Sequence, residues 1–246
     1  MINYDVEARD YDASRGGGPR AQAAADVLEQ LLPQRPCTIL DLACGTGIVT
    51  QKLLRPERMV LGVDLSLGML SLAAQRVPGF VVRGDAMQLP FASDSMDAVI
   101  IIWLLQLLPD PAPALAEAVR VLRSSGVLIT TVDKNDADFA EDSDIAQVTA
   151  ELRCQYKARV PDHFARLLTW ASGCALRLEG EAVFPGIGQG RSPRAWRETI
   201  GMGRVPWCTS AAQEQVAEVR RRLASLPDQE VPRPDPLYRL IALTTA

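Results

Sequence analysis

Residues 39–47 read Ile-Leu-Asp-Leu-Ala-Cys-Gly-Thr-Gly, a short apolar run that ends in a glycine turn. A second apolar run, Met59-Val-Leu-Gly-Val-Asp64, closes on a carboxylate. A tight Gly45-Thr46-Gly47 turn lets backbone N–H groups come close to a ligand, and an acid at the end of the next strand can accept both hydroxyls of a ribose. The pair points to a nucleotide-like cofactor.

Working outward, short apolar runs alternate with helical patterns, which predicts successive βα units and a parallel sheet covered on both faces. Strands are expected near 38–43, 59–63, 79–83, 97–102 and 125–132, and helices near 46–55, 66–76 and 111–123. Ser66 suits the N-cap of the second helix and Pro111 the first turn of the third. Right-handed crossovers then bring the Gly45 turn, Asp64, Asp85 and Trp103 to one edge of the sheet, the expected crevice. Upstream, Ala21 to Leu32 reads as an amphipathic helix preceded by a polar arm that carries Tyr4-Asp5 and Tyr11-Asp12. Residues 1–32 would lie over the crevice. Beyond residue 133, helices are expected near 139–158 and 161–172, strands near 175–184 and 238–244, and further helices near 193–202 and 210–226. The connection between the last two strands is too long for a simple loop, so residues 186–232 are a candidate cap on a single domain spanning 1–246.

The chain of 246 residues, 48% apolar and 23% charged, has an ordinary globular composition. A formal charge of −4 offers no basic field for a nucleic acid. The five cysteines are scattered, without metal-ligand spacing, which argues against both a disulfide framework and a bound metal. The N-terminus is acidic and the longest apolar run is short, so a cytoplasmic protein without a membrane partner is expected. The oligomeric state stays open, a homodimer included.

Thr50 stands where a dinucleotide fingerprint needs Gly or Ala, and the Lys-Ser/Thr of a P-loop is missing. What fits is the pattern of the class I S-adenosylmethionine-dependent methyltransferases. Asp41-Leu-Ala-Cys-Gly-Thr-Gly47 resembles that family's first motif and Val63-Asp64-Leu-Ser-Leu-Gly-Met69 its acidic second. Gly84-Asp85-Ala86-Met87-Gln-Leu-Pro-Phe91 resembles the third, and Asp97-Ala-Val-Ile with Leu108-Pro109-Asp110 the fourth. Val121-Leu122-Arg123-Ser-Ser-Gly126 is similar to the stretch that enters the fifth strand. The resemblance implies a doubly wound, Rossmann-like α/β fold with a mostly parallel seven-stranded sheet and a small helical cap.

It also implies roles. S-adenosyl-L-methionine would be the cofactor and S-adenosyl-L-homocysteine the product. Asp64 would hold the ribose diol and Asp85 the adenine amino group, with Ala86 and Met87 nearby and Leu65 and Met69 on either side of the ring. Gly45 and Gly47 would line the methionyl part, Asp41 and Ala43 of the same motif and Tyr11 of the arm are further cofactor-binding candidates, and Arg15 would pair with the methionyl carboxylate. Ala43 replaces the commonest first glycine, an exchange that suits a backbone at negative φ.

Trp103-Leu-Leu-Gln106 occupies the stretch where many relatives carry histidines, so Trp103 would also wall the transferred methyl. Trp103 and Gln106, with Trp196 and Trp207 from the cap, are the candidate acceptor contacts. His163, the single histidine, is the candidate general base. Six carboxylates between Asp133 and Asp144 could attract a cationic amine or chelated diol, but they read more readily as solvated acids at a helix start. The expected activity is methyl transfer to a small metabolite, in secondary-metabolite biosynthesis. Cyclisation or decarboxylation on the bound sulfonium, or a non-catalytic cofactor-binding module, are alternatives that the sequence leaves open.

Overall fold

A computed structural model describes residues 3–35, 37–156, 160–203 and 205–245. The apolar runs form seven strands: β1 (Cys37–Leu42), β2 (Arg58–Asp64), β3 (Val81–Arg83), β4 (Met96–Ile101), β5 (Leu122–Val132), β6 (Leu176–Pro185) and β7 (Leu237–Thr245). Their order in the sheet is β3-β2-β1-β4-β5-β7-β6. The first five strands pair in parallel, and β7 runs antiparallel to both β5 and β6. The chain builds outward from β1 through β2 to β3, then returns to the other side of β1 as β4. That reversal opens a crevice at the carboxyl ends of β1 and β4.

The helices are α1 (Tyr4–Ser14), α2 (Gly17–Leu31), α3 (Leu67–Arg76), α4 (Ala112–Val121), α5 (Asp144–Tyr156), α6 (Phe164–Gly173), α7 (Pro193–Gly201), α8 (Pro206–Thr209) and α9 (Gln213–Ala224). Strand side chains alternate between two cores, the pattern of a sheet buried on both faces. Ile39, Ala98 and Ile100 pack with Leu28 of α2 on one face. Leu40, Val99 and Ile101 pack with Leu115 of α4 and Leu167 of α6 on the other. A third cluster stands apart, in which Phe139 and α5 join Trp196, Ile200, Trp207, Val219 and Leu223. This cluster therefore joins residues ahead of β6 to the 186–232 stretch.

Three expectations need correction. The helix near 46–55 is only a 3₁₀ turn at Thr50–Leu53, because Gly45 and Gly47 sit at positive φ and Thr46, Ile48, Val49 and Thr50 are β-branched. The polar arm is a regular helix, α1, with the Asn3 side chain accepting from the Asp5 N–H. Only Ala8 of α1 is buried, so polar bonds to the crevice hold this helix, and no apolar stripe announced it. The helix near 139–158 begins later, at Asp144, after a 3₁₀ turn over Lys134–Phe139; residues 157–158 lie outside the described residues. Ser66 caps α3 as expected, accepting from the Met69 N–H at 3.2 Å.

Candidate active site

The turn after β1 is built on left-handed backbone: Ala43 at φ 63°, Gly45 at 57° and Gly47 at 71°. The expectation of a negative φ at Ala43 is therefore wrong. The Cys44 N–H donates to the Val63 carbonyl at 2.9 Å, and that tie to the end of β2 turns the chain through Ala43. Gly47 needs its missing Cβ, which would lie 3.1 Å from Ala73 of α3, whereas a Cβ on Gly45 would meet nothing within 4 Å. The space beside Gly45 is open.

Asp64 faces that space. One carboxylate oxygen accepts from the Gly45 N–H at 2.8 Å and the other from the Ser66 N–H at 2.9 Å. Burial raises its pKa, against the pull of these N–H groups. Behind it, Asp41 is buried and accepts from Thr50 Oγ1 at 2.5 Å; burial pushes its pKa up to about 7. Asp41 thus braces the turn from beneath.

Helix α1 closes over these residues. Asp12 accepts from Thr46 Oγ1 at 2.6 Å and pairs with Arg76 at 2.7 Å. Asp5 accepts from Ser66 Oγ at 2.6 Å and from the Gly68 N–H at 2.7 Å. Tyr11 is raised in pKa chiefly by burial, and the Arg15 guanidinium lies 5.6 Å from the centre of its ring. Arg15 makes no ion pair among the described residues.

Beyond β3, Asp85 turns the chain, accepting from the Met87 N–H at 2.9 Å. Leu65 and Met87 are 62% and 47% exposed, apolar side chains beside the Asp64 and Asp85 ends. Met69, in contrast, is 2% exposed, so it packs inside α3 and supports this region from below. Ala86 packs against the second core.

The other end of the crevice is aromatic. Trp103 follows β4 at φ 59°, its N–H donating to Thr131 Oγ1 at 3.0 Å. Its ring centre lies 5.5 Å from that of Tyr238 and 6.0 Å from that of Phe184. Gln106 Nε2 donates to the Trp103 carbonyl at 2.5 Å, which leaves Gln106 Oε1 buried without a partner. Asp133 follows β5 at φ 48°. Non-glycine residues in left-handed backbone thus stand just past the ends of β1, β4 and β5, and such positions gather at functional sites.

His163 is the N-cap residue of α6, next to Asp162, which accepts the Lys134 N–H at 2.8 Å. Its Nδ1 is buried without a partner. Trp196 and Trp207 pack instead with Phe139 in the cap, so the structure does not bring them to Trp103. The acidic stretch is largely tied into the fold: Asp144 pairs with Arg233 and Asp136 with Arg153.

Sequence reading missed Arg20 and Tyr238, which lie at this end with Arg191 and with Lys134 and Asp138 of the acidic stretch. Arg20 is 4% exposed, with its guanidinium 4.0 Å from the Trp103 ring centre. Tyr238 Oη donates to Gln189 Oε1 at 2.9 Å. The Gly186–Gly190 loop is held by Asp235, which accepts the N–H groups of Gly188, Gln189 and Gly190, and it lies against the start of α2, where a Cβ on Gly16 would fall 2.7 Å from the Ile187 carbonyl oxygen. An arginine inside a helical apolar stripe was the one available signal. Among the described residues no helix is long and apolar enough to cross a membrane.

Comparison with known proteins agrees with this geometry. Residues 40–130 match a family model described as a methyltransferase domain. A demethylmenaquinone methyltransferase of Corynebacterium kroppenstedtii is 35% identical over 129 residues, 51% of this chain and 56% of that protein, so the match spans about half of each. A candidate methyltransferase from Bacillus halodurans C-125 has the same fold at a TM-score of 0.58 and 21% identity, over 89% of this chain and 96% of that one. The [4+2]-cyclase SpnF does so at 0.59 and 18%, over 98% and 94%. The strand order, the glycine turn and Asp64 agree with the methyltransferase domain that residues 40–130 match.

Proposed function

We propose that this protein transfers the methyl group of S-adenosyl-L-methionine to a small-molecule acceptor held between the carboxyl ends of β4 and β5 and the cap, releasing S-adenosyl-L-homocysteine. The observation that carries the reading is Asp64, fixed through two N–H groups at the open side of Gly45. A carboxylate has about four lone-pair sites, so Asp64 keeps acceptors for both ribose hydroxyls. The residues present therefore fit the cofactor. Asp85 and the Ala86–Met87 backbone would receive the adenine edge, Leu65 and Met87 its faces, and Met69 would support the slot. Arg15, without an acid of its own, would take the methionyl carboxylate, and Tyr11 would cover it. The bound cofactor supplies an activated methyl on a sulfonium.

The positive charge of that sulfonium is consumed in transfer, so a dry, in-line site does much of the work. Trp103, Phe184 and Tyr238 supply the apolar wall, and α1, latched through Asp5 and Asp12, keeps water out. Gln106 Oε1 is placed to accept from an acceptor N–H or O–H. For a hydroxyl acceptor the proton would pass to His163, in which case His163→Gln lowers kcat.

The demethylmenaquinone methyltransferase relative supports a small-molecule acceptor, and the cap with its own apolar core suits a compact metabolite. A place in secondary-metabolite biosynthesis belongs to the same reading. Incubation with labelled S-adenosylmethionine and a panel of small acceptors tests it: release of S-adenosylhomocysteine with a gain of one methylene on an acceptor is expected. Binding of S-adenosylhomocysteine without turnover across the panel would favour a binding module, and an isomerised or decarboxylated product a non-methylating enzyme.

A further inference from the structure

Arg20 is a buried cation that makes no ion pair among the described residues. It is 4% exposed and its Nε has no hydrogen-bond partner; its guanidinium lies over the face of Trp103. A buried guanidinium held only by a ring is costly, and a carboxylate or phosphate is what would complete it. Two further cations come from distant segments, and the loop that leads to Arg191 lies beside Arg20 at Gly16. Lys134 comes from the turn after β5 and Arg191 from the loop after β6, its guanidinium 5.1 Å from the Trp196 ring centre. Neither makes an ion pair among the described residues.

These charges act on one another. Burial lowers the Lys134 pKa, Arg191 and Arg15 lower it further, and Asp138 and Asp162 oppose them. Burial and Asp138 raise Tyr238 to about 12, against the pull of Arg20, Arg191 and Arg15. With Arg15 assigned to the cofactor carboxylate, Arg20, Lys134 and Arg191 face Asp138, Asp162, which already accepts the Lys134 N–H, and Asp12, which is already paired with Arg76. The partnerless Trp103 Nε1 and Gln106 Oε1 belong to the same end of the crevice. The family model ends at residue 130, ahead of Lys134 and Arg191, so the matched domain carries no information about this cluster.

We infer that the acceptor is an organic anion whose carboxylate or phosphate seats among Arg20, Lys134 and Arg191, with its body against Trp103 and Tyr238. The word acceptor rests on the methyltransferase reading; the anion site does not.

The test titrates the full-length protein with benzoate, inorganic phosphate and the neutral benzamide at fixed ionic strength, by calorimetry and thermal unfolding, with S-adenosylhomocysteine titrated separately. Saturable binding of benzoate or phosphate that raises the Tm is expected, with no effect of benzamide. Benzoate ahead of phosphate indicates a carboxylate acceptor and the reverse a phosphorylated one. Arg20→Met and Lys134→Met should each weaken the anion at least tenfold while S-adenosylhomocysteine binds as before. Arg20→Met should unfold no earlier than the wild type without anion, because the uncompensated charge is gone; a purely structural stack on Trp103 predicts a fall. Failure of both anions to bind the wild type, or equal binding to both variants, overturns the inference. Failure of S-adenosylhomocysteine to bind overturns the cofactor reading instead, and the anion titration, which needs no cofactor, still decides this one.

Discussion

At the β2 end of the crevice the carboxylates already hold their donors. Asp64 takes the N–H groups of Gly45 and Ser66, Asp12 takes Thr46 and Arg76, and Asp5 takes Ser66 and Gly68. At the β4–β5 end the buried polar atoms without partners collect: Arg20 Nε, Trp103 Nε1, Gln106 Oε1, Asp162 Oδ1 and His163 Nδ1. Native proteins leave few such atoms, because each costs about 1–3 kcal/mol. On the proposed function, the first end is pre-organised for the cofactor and the second leaves its valences open for the acceptor.

The sharpest way to break this comparison is Asp64→Ala. The variant loses the acceptor for two ribose hydroxyls and frees the Gly45 N–H, so S-adenosylhomocysteine affinity should fall about a hundredfold, ~3 kcal/mol, by calorimetry. Benzoate affinity should not move. A parallel loss of both would mean that the two ends are one cooperative unit.

Asp41 is the exception at the finished end, a buried acid with one side-chain hydrogen bond. Its pKa of about 7 in the folded chain lies above the ordinary 3.8, so between those values the folded chain holds a proton that the unfolded chain has released. Stability therefore falls as pH rises from about 4 to about 7 and stays low above that. Asp41→Asn removes the slope. Denaturant midpoints should show the variant ahead of the wild type at pH 8 by on the order of 2 kcal/mol, with the gap closing toward pH 4.

The same contrast explains what could be read from sequence. The β1 turn and Asp64 were legible because both lie on contiguous stretches whose residue types are dictated locally: glycine for positive φ, an acid at a strand end. The parallel sheet followed from alternating βα patterns. Arg20, Lys134, Arg191 and Tyr238 come from four separate segments, and no local rule marks a cation whose partner is a small molecule. Helix α1 was hidden for a related reason, since its docking runs through Asp5 and Asp12 and left no apolar stripe. Ala43 misled in the opposite direction: its side chain suggested ordinary backbone, but the Cys44 link to Val63 overrode that preference.

Asp12→Ala tests whether α1 is part of the finished end. Asp12 joins α1 to both Thr46 and Arg76, and the Arg76 guanidinium also donates to the Thr46 backbone carbonyl at 2.8 Å. Removing it should cost about 1 kcal/mol, seen as faster hydrogen exchange across Tyr4–Ser14 and about fivefold weaker S-adenosylhomocysteine. Unchanged exchange would place α1 outside the latch.

The smallest effect is the most local. At φ 63° the Ala43 Cβ crowds its own backbone, a strain of about 1–2 kcal/mol, and Ala43→Gly relieves it. Glycine also loosens the unfolded chain, which takes back about 0.5–1 kcal/mol. The difference is a gain of about 0.5 kcal/mol, or a Tm higher by about 1–2 °C for a chain of this size. Affinity for S-adenosylhomocysteine should stay the same, because Cys44 and Gly45 are held by Val63 and Asp64 whatever stands at 43. A gain in stability accompanied by weaker cofactor binding would show instead that the strained alanine positions the turn, and that this end of the crevice holds its shape through backbone tension as well as through hydrogen bonds.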